Sequence, residues 1–113
     1  MDRAAGWDAF RLTVLDEGGD IWLWQILGDS ENFFPGADRR ERVALSERLI
    51  RELCADGLAY LVNGASGRQL TTDEAEAVIA TGRWRSFPPA PDADERLMPT
   101  ATWADWSAGA QAS

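Results

Sequence analysis

Asp38-Arg39-Arg40-Glu41-Arg42-Val43-Ala44-Leu45-Ser46-Glu47-Arg48-Leu49-Ile50-Arg51-Glu52-Leu53-Cys54-Ala55-Asp56-Gly57 is the stretch whose reading decides the fold. It contains no proline, no glycine before its last residue, and many strong helix formers. Asp38 followed by Glu41 has the spacing of a capping box with an acidic N-cap. Gly57 stands where a C-terminal glycine ends a helix. At about 100° per residue, Val43, Ser46, Leu49, Ile50, Leu53 and Cys54 fall on one face. The pattern predicts one long amphipathic helix over 38–56.

On its C-terminal side, Leu58-Ala59-Tyr60-Leu61-Val62 is a short apolar run of strand formers. Asn63-Gly64-Ala65-Ser66-Gly67 reads as a turn, and Arg68-Gln69-Leu70 as a returning strand, so a β-hairpin is expected over 58–70. Thr71 with Glu74 makes a second capping box, opening a helix near 72–81 that Gly82 stops. On the N-terminal side, Trp7, Phe10, Leu12, Val14 and Leu15 recur at helical spacing, giving a helix over about 7–16 ended by Gly18-Gly19. Ile21 to Leu27 is nearly all apolar. Periodicity leaves helix and strand open there, with helix preferred, and Trp22 and Trp24 are assigned to the core. Residues 28–37, with Gly28, Asp29, Ser30, Asn32, Pro35 and Gly36, read as a loop. The expected fold class is α+β, with three to four helices and a short antiparallel hairpin.

After Trp84 the composition changes. Pro88, Pro89, Pro91 and Pro99 interrupt any helix, and Asp92, Asp94 and Glu95 make the segment acidic. The reading is a domain over 1–85 and an extended, Pro-rich and Trp-containing tail over 86–113, poorly packed at 87–95.

The helix ending in Leu53-Cys54-Ala55-Asp56-Gly57-Leu58, running into a strand and then a turn at Asn63–Gly67, resembles the winged-helix family. Leu70-Thr71-Thr72-Asp73-Glu74-Ala75 is similar to the segment after the wing in many small bacterial members. The resemblance covers about residues 7–82 and is architectural. It implies that the 38–56 helix enters the DNA major groove, with Arg40, Arg48 and Arg51 on its outer face and Arg68 in the wing.

Composition points elsewhere. The 113-residue chain carries a formal charge of -8, with a pI near 4.4. Such a field opposes approach to phosphate and favours basic partners. All eleven basic residues are arginine, and with abundant Ala, Gly and Asp this looks like the codon bias of a GC-rich bacterial genome. Residues 35–51 hold five arginines against Asp38, Glu41 and Glu47. Glu47 precedes Arg51, and Arg48 precedes Glu52, by four residues, so surface ion pairs account for much of that pattern.

Without histidine there is no histidine base or imidazole metal ligand, and one cysteine builds no thiolate zinc site. Cys54, on the apolar face, reads as a structural thiol. No catalytic residue, metal or cofactor is assigned. A lone cysteine, no signal-peptide core and no bilayer-length apolar run make the cytoplasm the expected compartment, without membrane contact. Six tryptophans are many for one small core. Trp84, Trp103 and Trp106 lie outside the strongest periodic elements and are the candidate protein-binding residues, with packing of Trp103 and Trp106 onto their own domain as the open alternative. The leading expectation is a small acidic module that binds a basic protein, in the manner of an inhibitor or immunity protein. The alternative is a winged-helix transcription regulator, for which a homodimer would bring two arginine faces to DNA.

Overall fold

The computed structural model describes residues 3–86 and 95–105. It is an α+β fold in which four longer α-helices, a 3-10 turn and a short helical segment at 101–105 pack around a small antiparallel sheet. The elements are α1 (Arg3–Asp16), β1 (Ile21–Trp22), α2 (Leu23–Phe33), α3 (Arg39–Ala55), β2 (Ala59–Asn63), α4 (Thr72–Thr81) and β3 (Glu95–Pro99), with the 3-10 turn at Arg83–Arg85. Among the described residues no helix is long and apolar enough to cross a membrane.

Helix α3 forms as its sequence dictates. The Asp38 carboxylate accepts from the Glu41 backbone N–H at 2.8 Å. Val43, Ser46, Leu49, Ile50 and Leu53 are buried, with Cys54 at the edge of that face. Gly57 closes the helix in a left-handed conformation, φ 74°, while the Leu58 N–H reaches back to the Leu53 carbonyl. Helix α4 opens with the reciprocal Thr71–Glu74 capping box.

Three features depart from the sequence reading. Residues 28–33, read as loop, continue α2. Buried Ser30 explains the continuation: its hydroxyl donates to the Leu27 carbonyl and accepts from Arg42 Nε. Phe33 and Phe34 then pack on Phe10, each at 5.8 Å between ring centroids. This aromatic packing outweighs the weak helix propensities of Gly28, Asp29 and Asn32.

The second departure is the sheet. The turn at 63–67 forms as expected, with Asn63 Oδ1 accepting from the Ala65 and Ser66 N–H groups. The Asn63 N–H donates to the Arg68 carbonyl and the Leu70 N–H to that of Leu61, but the return adds only a single bridge, Val62 to Gln69. The main partner of β2 is β3, which lies between β1 and β2. Its register aligns Ile21, Leu97 and Leu61 in one buried apolar row across all three strands. Burial of that row is the driving force for the placement. Residues 95–99 are thus extended, as expected, but form the centre of the sheet instead of a tail outside the domain. The boundary expected at 85/86 does not divide a folded body from an unpacked one. The acidic, proline-rich segment at 87–94 and the residues beyond 105 lie outside the described residues.

The third concerns the aromatic residues. Trp84 and Trp103 are fully buried, each at 0 % exposure. Trp22 and Trp24, expected in the core, lie at the surface: Trp22 is half-buried and Trp24 is 37 % exposed. Leu12, counted in the apolar stripe of α1, is also exposed.

Candidate functional site

Of the α3 arginines, Arg42 turns into α2, where it donates to Ser30 Oγ and the Leu27 carbonyl, and Arg48 and Arg51 meet partners from other helices of the same chain. Arg48 lies over the Trp7 ring, its Cζ 4.2 Å from the centroid. Arg51 binds Glu76 on α4 and approaches Glu47 at 3.8 Å. The Arg51 guanidinium holds the Glu76 carboxyl below the usual carboxylate range. Arg68 grips both oxygens of Glu74, at 3.0 and 2.8 Å. That contact, with the Thr71 backbone N–H, lowers the Glu74 pKa to about 2. The Arg48–Glu52 pair expected from spacing does not form; Glu52 accepts instead from Arg11 at 3.3 Å. Arg40 is exposed, and among the described residues it has no hydrogen-bond or ion-pair partner. It borders a groove of about 460 Å3 with Arg39, Val43, Ala44, Glu47 and Arg85. Arg85 is fixed there by Glu47 at 2.6 Å and the Ile79 carbonyl at 2.8 Å.

The tryptophans singled out for a partner are placed differently from one another. Trp84 donates its indole N–H to the Val78 carbonyl at 2.7 Å, and Trp103 donates to the Leu15 carbonyl at 2.9 Å. Both indoles are therefore satisfied inside the protein, where burial makes them core residues. Trp106 lies outside the described residues. The aromatic surface is formed by Trp22 and Trp24 instead, whose rings stack at 6.3 Å and 21°. Arg96 Cζ sits 3.9 Å from the Trp22 centroid, and its NH1 donates to Asp20 Oδ1 at 3.1 Å. Sequence reasoning missed this pair because one apolar run contains both a strand end and a helix start. The signal was present in the helical spacing of buried Leu23, Ile26, Leu27 and Ser30, which turns Trp24 away from the core.

A second groove, of about 500 Å3, lies between α3, β2 and α4. Cys54, Tyr60, Leu70, Ala75 and Ile79 line it, with Arg51 and Glu76 also on its wall. Burial pushes the Cys54 thiol up to about 11, so it stays protonated and weakly nucleophilic near neutral pH. Glu17, at the end of α1, is pushed up to about 7, first by burial and then by hydrogen bonding to and repulsion from Asp29 on α2. The pair can hold a shared proton. Among the described residues no group of three or more His, Cys, Asp or Glu side chains is placed to hold a metal ion.

Comparison of the chain with protein-family models, with curated proteins and with solved structures returns no match.

Proposed function

We propose that this chain is a small acidic protein-binding module that docks a basic partner, as an inhibitor or immunity-type protein does, and that it works in the cytoplasm without catalysis. The observation that carries this reading is the engagement of its arginines. Arg48, Arg51 and Arg68 are held by Trp7, by Glu76 with Glu47, and by Glu74. Releasing them to phosphate would break those contacts. A formal charge of -8 adds general repulsion from nucleic acid and attraction to cationic proteins.

A second reading keeps one specific support. The order α1, β1, α2, α3, β2 and turn agrees with a winged-helix-like architecture, and Arg40 with Arg39 leaves the first turn of α3 cationic and exposed. On that reading a homodimer regulator places two α3 helices on DNA.

Gel-shift titration against a random-sequence duplex library at physiological salt separates the two. The protein-binding reading expects no sequence-dependent retardation. Tight, sequence-dependent retardation abolished by Arg40→Ala and Arg48→Ala would replace it with the regulator.

A further inference from the structure

Strand β1 ends at Trp22, and α2 begins at the next residue. This junction sets two indoles side by side on different elements. Trp22 faces Arg96, its partner in the β1–β3 register, whose guanidinium covers the ring and is clamped by Asp20. The surface thus already contains one complete receptor for a cation: an indole face below and a carboxylate beside it.

Trp24 repeats the aromatic half of that receptor without a cation. It is 37 % exposed, and among the described residues no arginine lies over its ring. Gly28, one turn further on α2, leaves open space beside it, with nothing within 4 Å of where a Cβ would stand. Glu31, two turns along the same face, is exposed and only loosely approached by Arg42, at 3.9 Å.

We propose that Trp24 is the seat for an arginine or lysine side chain of a basic protein partner, with Glu31 receiving its charge and the open surface at Gly28 admitting its backbone. The assignment rests on the protein-binding reading above and names where that binding is centred. Charge complementarity selects this occupant. A desolvated cation over indole gains from the ring quadrupole as well as from the negative field of the chain. A stacked nucleobase would gain from the ring but would bring its phosphate towards Asp20 and Glu31.

The test is fluorescence anisotropy of labelled probes with the full chain: an Arg-Leu-rich nonapeptide, its Glu-Leu counterpart and oligothymidine. The arginine peptide should bind, and the glutamate peptide should not. Trp24→Ala should weaken arginine-peptide binding about tenfold, with Trp24→Phe recovering part of the loss. Glu31→Gln should weaken it less and flatten its salt dependence. An unchanged melting curve confirms that the variants remain folded. Arginine-peptide binding indifferent to Trp24→Ala overturns this seat and leaves the protein-binding reading standing. No arginine-peptide binding by the wild type overturns both. Oligothymidine binding that is tighter than peptide binding and lost in Trp24→Ala makes the surface a single-strand platform and also overturns the proposal. Self-association lost in Trp24→Ala overturns it in favour of a second copy of this chain.

Discussion

The indole N–H of Trp103 donates to the backbone carbonyl of Leu15 at 2.9 Å, joining two residues that lie 88 positions apart. The contact ties the C-terminal segment to the end of α1, and both residues are buried. Trp103→Ala therefore removes a large core side chain and one of the two donors to the Leu15 carbonyl, which keeps the Gly18 N–H at 3.1 Å. The expected loss is about 3–5 kcal/mol. Thermal unfolding checks this, with a fall in Tm of more than about 10 °C expected. Cutting the chain after Ala101 should lower Tm similarly. An unchanged Tm in either case would free Trp103 for a partner.

Gly19 forms a second tie between distant segments. Its φ of 95° lies in the left-handed region, and a Cβ there would run into the Pro99 ring at the end of β3. Gly19→Ala should destabilise the protein by at least about 2 kcal/mol, from backbone strain and the clash together. The double variant with Pro99→Gly, which removes all three ring carbons in the way, should recover the part due to the clash and retain the part due to φ. Denaturant unfolding of the two variants separates these contributions. Equal stability of Gly19→Ala and wild type would contradict the turn geometry.

These two ties show what could and could not be read from the sequence. Helices α3 and α4 were legible because their signals are local: Asp38 with Glu41, Thr71 with Glu74, and Gly57 within one turn of the element each bounds. Strand β3 was not. Its only strong claim to the core is Leu97, whose partners Ile21 and Leu61 are remote in sequence, and the prolines before it imitate an unpacked tail. The arginines of α3 were legible as residues, but their engagement was not. Trp7 and Glu76 reach Arg48 and Arg51 from other helices, and no pattern within α3 reports them. The surface pair Trp22–Trp24 was hidden for a third reason, a change of period from two to 3.6 inside one apolar run.

Glu17 gives a pH signature. Its carboxyl has a pKa of about 7 in the folded protein, against an ordinary value of 4.5, because burial and Asp29 both disfavour its charge. The folded chain therefore holds a proton that the unfolded chain releases. The resulting stability is fully present below pH 4.5, declines as pH rises towards 7, and is absent above it. Glu17→Gln, which keeps the hydrogen-bonding shape without the charge, should remove this decline. Denaturant unfolding at several pH values between 4 and 8 measures it. Parallel curves for wild type and variant would show that Glu17 titrates normally.

Cys54 allows a test of whether the groove between α3 and α4 is chemically active. With its thiol pushed up to about 11 by burial, the thiolate is scarce at pH 8. Alkylation by iodoacetamide should be on the order of a hundredfold slower in the folded protein than in denaturant, and should accelerate with pH up to that value. The thiol packs at the edge of the core, so Cys54→Ser should cost some stability by placing a hydroxyl there. It should leave binding of the arginine peptide unchanged, because Trp24 and Glu31 stand on α2 and do not line this groove. Rapid alkylation at pH 7 would reveal an activated thiol. Loss of function in Cys54→Ser at unchanged stability would move the working site from the Trp24 surface to this groove.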